Sequence, residues 1–150
     1  MSEPDFGAAD EYIVELLVED DPALKAALAA SEAAGLARIN LAPNQGKLLM
    51  LLAQAIGARK ILEIGTLAGY STIWLARALP PGGHLVTLEA NPSYAKVAYA
   101  NIASAGLSSV VEIRVGRAVD TLPGLAEKGP FDLISSMPTS RARQTISNGR

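Results

Sequence analysis

The chain has 150 residues, enough for one domain with a sizeable core, and 49% of them are apolar, which argues against disorder of the whole. A net charge of −2 gives no electrostatic footing for nucleic acid, and no apolar run is long enough to span a membrane. With no cysteine and a single histidine, the composition excludes a disulfide framework, thiol chemistry, a thiolate metal site and a histidine-based triad.

The acidic start, MSEPDFGAAD, lacks the basic segment and apolar run of a signal peptide, so a cytoplasmic location is expected. Residues 1–9 are expected to form a loose arm. Tyr12, Ile13, Leu16 and Leu17 recur at helical spacing and predict a short helix over 10–19. Asp20-Asp21-Pro22 is a start signal, an acidic cap followed by proline in the first turn. The helix it opens stops at Gly35, a good residue just past a helix end. Both helices precede the first strand, so they are expected to pack outside the α/β unit. Pro43-Asn44 marks the next helix start, with Leu48, Leu49, Leu51, Leu52, Ala55 and Ile56 on a broad apolar face. Asn44 and Gln45 read as capping, solvent-exposed residues.

Residues 60–71, KILEIGTLAGYS, are the centre of the pattern: a short apolar strand, a glycine turn from Gly65 to Gly69, and a helix opening at Tyr70-Ser71. Glycine lets a ligand approach the backbone closely, and free N–H groups at the helix start face it. The spacing is G-x-x-x-G, not the G-x-G-x-x-G of dinucleotide binders. Glu63, two residues before the first glycine, would repel a pyrophosphate but attract a cation. That electrostatic pattern favours S-adenosylmethionine, which carries a sulfonium and an ammonium and no phosphate.

The helix continues over 72–79, with Trp74 expected at the rim. His84 to Glu89 reads as the second strand, and His84 as a surface residue. Glu89 lies 24 residues after Gly65, where a strand-end carboxylate is placed to accept both hydroxyls of a ribose. A helix over 92–105, a third strand over 110–115 and the Gly116-Arg117-Ala118 turn follow, then a short helix to Lys128 and a fourth strand from Phe131. A small residue such as Ala118 leaves room for a flat ring. Repeated β-α units imply a parallel sheet. Residues 135–150 lose apolar periodicity and read as a disordered tail.

The motifs APNQGKLL (42–49), ILEIGTLAGYSTIWLARALPPGG (61–83), LVTLEANP (85–92) and VGRAVDTLP (115–123), in this order, resemble the cation-dependent O-methyltransferases related to catechol and caffeoyl-CoA O-methyltransferases, the bacterial branch above all. The resemblance covers residues ~10–134 and implies a Rossmann-like class I methyltransferase domain of α/β class. This chain would hold strands 1–4 of its seven-stranded sheet over residues 1–134, with extra N-terminal helices, and a non-family tail over 135–150. By position, Glu63, Gly65 and Thr66 would hold the methionine part of S-adenosylmethionine, and Ser71 its carboxylate or amino end. Glu89, with Ala90 beside it, would take the ribose, and Gly116 and Ala118 would border the adenine. Leu41 would cover the cofactor, while Gly69 and Tyr70 would shape the turn.

The family's fourth strand continues Phe-Ile-Asp-Ala-Asp-Lys-Pro and carries a divalent-metal ligand and a proposed base. This sequence has Ser135-Ser136-Met137-Pro138-Thr139-Ser140-Arg141 instead. Deleting one base from codons for the family segment yields those seven residues, so a one-base frameshift is expected to have produced the tail. The resemblance implies methylation of a hydroxyl on a small, catechol-like acceptor with a divalent cation, in a homodimer. With neither catalytic nor metal-binding residues carried over, the chain alone is expected to be inactive. It would then be a cofactor-binding module, or an unstable fragment with an open sheet edge.

Overall fold

The computed structural model describes residues 6–36 and 39–136 of the chain. The part of the expected frameshift tail from Met137 onward lies outside those residues, as does the start of the expected N-terminal arm.

Four strands, β1 (Lys60–Ile64), β2 (His84–Glu89), β3 (Val111–Val115) and β4 (Leu133–Ser136), form one sheet in the order β3-β2-β1-β4, and every pair is parallel. β2 and β3 therefore lie to one side of β1 and β4 to the other. The chain reverses its direction of travel across the sheet at β1, and ligands of open α/β sheets bind outside the carboxyl ends of the strands at such a point. β4 runs through Ser135 and Ser136, so the first two residues of the expected tail are strand. Backbone pairing with β1, Glu63 opposite Ser135 and Ile64 opposite Ser136, needs no apolar side chain and holds them. Asp132 fastens the start of β4 to that of β1. Its Oδ2 accepts from Arg59 N and Lys60 N, both at 2.8 Å. The other side of β4 is unpaired among the described residues, and Ile134 is 60% exposed there.

Helices α1 (Phe6–Leu17), α2 (Pro22–Ala33), α3 (Pro43–Ala55), α4 (Tyr70–Arg77) and α5 (Pro92–Ser104) precede a short α6 (Ala118–Thr121) and a 3₁₀ turn over Leu122–Lys128. On one face of the sheet, Ile61 and Leu85 pack with Leu75 of α4 and Ala53 of α3; on the other, Leu62, Val86 and Leu88 pack with Leu125. α2 forms an outer layer on α4 and α5, as its place in the chain implies, and buries Leu24 and Ala27. The acidic start signal holds: Asp21 Oδ1 accepts from Ala23 N at 2.9 Å and Leu24 N at 3.1 Å, and the same carboxylate pairs with Arg77 of α4.

Three expectations change. α1 begins at Phe6 inside the expected arm, because Gly7-Ala8-Ala9-Asp10-Glu11 contains no proline and two strong helix formers; it ends at Leu17. Trp74 is core rather than rim, 5% exposed, because α2 and α3 cover the outer face of α4. The broad apolar face of α3 is not its buried face. Gly46 and Ala53 are buried, while Leu48, Leu51, Leu52 and Ile56 are roughly half exposed. Close approach to α4 selects small residues and turns the leucines outward. Gln45 does act as a cap: its Oε1 accepts from Ala42 N at 3.1 Å.

Glu112 on β3 organises the ion pairs at that edge. Lys128 Nζ and Arg114 Nε donate to it at 2.7 and 2.8 Å, and His84 lies 3.4 Å away. Hydrogen bonds from Lys128 and then Arg114 hold its carboxyl at about 2, below the usual 4.5. A depressed acid stabilises the fold above its unfolded pKa and loses that contribution as pH falls through the folded one. Glu112→Gln should therefore lower Tm at pH 7, and the gap to the parent chain should close between pH 4.5 and about 2. Thermal denaturation across that range is the check; a gap that does not change with pH would refute it.

Candidate functional site

The turn between β1 and α4 sits at the carboxyl end of the central strand. Gly65 (φ +99°) prolongs the ladder by donating to Leu88 O at 2.9 Å. Gly69 (φ +83°) closes the turn onto Thr66 O at 2.8 Å. Leu67 holds a left-handed φ of +51°, unfavourable for a residue with a Cβ. Two side chains from outside the turn fix this conformation. Glu89 Oε2 accepts from Leu67 N at 2.8 Å, and the amide of Asn101, on α5, donates to Ala68 O at 2.9 Å. Asn101 was not legible as a site residue: it lies in the middle of an ordinary helix, 33 residues away.

Glu89 is placed as its position in the sequence implies. It is 8% exposed at the end of β2, and its Oε1 accepts from Asn91 N at 2.9 Å. Each oxygen holds one N–H and keeps a further lone pair, so the carboxylate can take two more donors. Gly116 (φ +149°) lies beside it, donating to Glu89 O at 2.8 Å. Ala118 is half-buried at the start of α6 and Ala90 is exposed, which leaves the rim of this corner small and open. Leu41 is half-buried just before α3.

Glu63, expected beside the methionine part of the cofactor, is enclosed by the fold. It is fully buried, with its carboxylate under α4 rather than at the open edge of the turn. Ser71 Oγ donates to Oε1 at 2.6 Å, and Thr72 and Thr87 hydroxyls donate to Oε2 at 2.5 and 2.7 Å. Thr66 Oγ1 is 2.6 Å from Thr87 Oγ1, so when Thr87 gives its proton to Glu63, Thr66 donates to Thr87. Burial pushes the Glu63 carboxyl above its usual 4.5; the three hydroxyls oppose that rise and the charge of Glu89 adds to it. The Glu63 carboxylate is sealed from solvent in this structure. Tyr70 departs from its expected role: along α4, residues 71, 72 and 75 face the sheet while 70 and 74 face outward. Its side chain therefore packs with Leu24 and Ala27 of α2, and only its backbone belongs to the turn. Thr66, 1% exposed, likewise offers a ligand its backbone alone.

A phosphate-binding turn would gather N–H groups and cations. This one gathers N–H groups and the carboxylate of Glu89, with Glu63 buried beneath it. Residues 14–137 match the family model described as O-methyltransferase. The chain belongs to that family. An O-methyltransferase-family chain named as a catechol O-methyltransferase in Niastella koreensis is 56% identical over 131 residues, covering 86% of this chain and 59% of that one. A second, from Mycobacterium tuberculosis with the same name, is 58% identical over 125 residues, covering 83% and 56%. An O-methyltransferase from Bacillus cereus, solved in complex with SAH, superposes with a TM-score of 0.86 at 44% identity, over 93% of this chain and 64% of that one. The chain thus spans less than two thirds of the length of these family members. Among the described residues, no cluster of three or more His, Asp or Glu side chains could hold a metal ion, and no helix is long and apolar enough to cross a membrane.

Proposed function

We propose that this chain is the cofactor-binding part of an S-adenosylmethionine-dependent O-methyltransferase. The observation that carries the reading is Glu89: a strand-end carboxylate with two N–H groups already bound and two acceptor positions left, next to a glycine turn without a lysine or arginine. Gly65, Gly69 and the first N–H groups of α4 would receive the amino-acid end, Glu89 the ribose hydroxyls, and Gly116 and Ala118 the adenine edge. Bound there, the cofactor would supply a methyl group on a sulfonium, and the chain's own residues would orient it and shield it from water. The catechol O-methyltransferase names of the relatives and the SAH in the Bacillus cereus structure support this reading.

The acceptor in this proposal is a small hydroxylated aromatic, and the whole enzyme uses a divalent cation. The described residues of this chain do not fit that cation, so no step is derived through it. The chain alone therefore binds cofactor and transfers no methyl group. Homodimer formation belongs to the same proposal, supported by exposed apolar side chains on neighbouring helices, Tyr12 and Leu16 of α1 and Leu48 and Leu52 of α3. A cytoplasmic location is part of it too.

Calorimetric titration of the chain with S-adenosylmethionine should give saturable one-to-one binding, tighter than NAD. Incubation with a catechol and magnesium should give no methylated product. NAD binding tighter than S-adenosylmethionine binding would overturn the cofactor assignment, and metal-dependent turnover would overturn the inactivity.

A further inference from the structure

On the outer face of α4, away from the sheet, the N-terminal helices enclose a cavity of about 260 Å³. Leu24, Tyr70 and Trp74 form the buried part of its lining, and Val14, Val18 and Leu28 are half-buried around them. Pro43 lines it from the α3 side. An apolar cavity of about 150 Å³ is enough to take up benzene, so this one has room for a ligand of roughly six to ten heavy atoms.

One polar group in the lining lacks a partner. Trp74 Nε1 is buried and makes no hydrogen bond among the described residues. A Cβ at position 46 would meet the Cδ1–Nε1 edge of the indole. Pro43 and Gly46 are three residues apart and share a face of α3, so that edge borders the side of the cavity that Pro43 lines. Burial raises the Tyr70 hydroxyl above its usual 10, the neighbouring indole N–H opposes the rise and the charge of Asp21 adds to it. Tyr70 therefore presents a neutral phenol beside the indole.

The charge around the cavity has one sign in excess. Glu15, Glu19, Asp20 and Asp21 all line it, with Lys25. Lys25 Nζ neutralises Asp20 at 2.6 Å, and Arg77 pairs with Asp21. Glu15 and Glu19 are exposed and have no ion pair among the described residues. Two carboxylates are thus left uncompensated beside two aromatic side chains and an unanswered N–H.

We propose that this cavity is a second ligand site, separate from the cofactor corner, for a small hydroxylated ammonium ion of the amino-alcohol class. The cationic head lies against the Tyr70 and Trp74 rings and toward Glu15 and Glu19; the oxygen accepts from Trp74 Nε1. An alkyl-clad ammonium is attracted by aromatic faces as well as by carboxylates. A neutral molecule of the same shape gains nothing from the two acids, and an anion is repelled by them. The side chains involved belong to α1, α2 and the outer face of α4, so the inference does not depend on the cofactor reading.

The chain has one tryptophan, so its indole N–H gives a single NMR signal that reports on this cavity. The full chain is titrated with three probes, each with and without S-adenosylhomocysteine. They are choline, its neutral isostere with a tert-butyl group in place of the trimethylammonium, and tetramethylammonium, which lacks the hydroxyl. Choline should move the indole signal saturably and bind at least about 5-fold tighter than the isostere at low salt, with the gap narrowing as salt screens the acids. Tetramethylammonium should bind about 5-fold more weakly than choline, the loss of one hydrogen bond. Glu15→Gln combined with Glu19→Gln, both at exposed positions, should bring choline within about 2-fold of the isostere and leave the isostere unchanged. Val18→Phe, which fills the cavity, should weaken all three probes at least about 5-fold; if that variant does not fold, the glutamine pair decides. An isostere that binds as tightly as choline, or an indole signal that no probe moves, overturns the proposal. So does a choline shift abolished by S-adenosylhomocysteine, which would place the ion in the cofactor corner.

Discussion

Glu89→Ala should lower the affinity of the chain for S-adenosylmethionine at least about 100-fold, close to 3 kcal/mol, which is the loss of two hydrogen bonds to an ionised acceptor. The residue has two duties, and the substitution ends both. Toward the ligand, the free lone pairs of its carboxylate are the acceptors for a ribose. Toward the protein, its Oε2 holds Leu67 N and its Oε1 holds Asn91 N. Without it, Leu67 has no partner to keep it at φ +51°, and the N–H of Asn91 loses its acceptor at the entry to α5. Glu89→Gln separates the duties. A side-chain amide keeps one oxygen for a backbone N–H or for a hydroxyl, and the expected loss is about 10-fold. Titration calorimetry with parallel thermal denaturation distinguishes lost recognition from lost structure. Affinity within about 3-fold of the parent chain in Glu89→Ala would remove this residue from the site and with it the main support for the ribose assignment.

The parts of this site that were legible in the sequence are those set by local backbone chemistry. Gly65 and Gly69 adopt the positive φ that a tight strand-to-helix turn demands, and Glu89 stands at the end of the next strand, where its spacing from Gly65 puts it. Asp21 and Pro22 mark a helix start because capping is a matter of adjacent residues. What the sequence hid depends on partners far along the chain. Glu63 reads as an acid beside a ligand until Ser71, Thr72 and Thr87 close over it, and Thr87 lies across the sheet in register. Asn101 reads as a helix residue until α5 brings its amide to Ala68 O. Leu48, Leu51, Leu52 and Ile56 satisfy a helical apolar pattern, yet periodicity alone does not say which side of α3 touches α4. The ends of the readable segment were hidden for another reason. Ser135 and Ser136 have no strand-forming side chains, and β4 extends over them because β1 supplies a neighbouring ladder.

The answer to which side of α3 touches α4 is Gly46, and Gly46→Ala should lower stability by about 2 kcal/mol, or roughly 4–8 °C in Tm. In an isolated helix the same substitution would add about 1 kcal/mol of stability, because glycine is a poor helix former. Here a Cβ at position 46 would stand 2.4 Å from both Cδ1 and Nε1 of Trp74. The indole cannot step aside. It is 5% exposed and packed among Leu24, Ala27, Tyr70 and Ile73. Relief must therefore come from moving α3 away from α4, which opens the packing at Ala53. Trp74→Ala removes the whole ring and supplies the second arm of a double-mutant cycle. The cost of Gly46→Ala should fall by more than half in that background. Chemical denaturation of the four proteins gives the coupling energy. An equal cost in both backgrounds, or a gain of about 1 kcal/mol in the parent, would mean that helix propensity governs position 46 and that the approach of α3 to α4 is not limited by this ring.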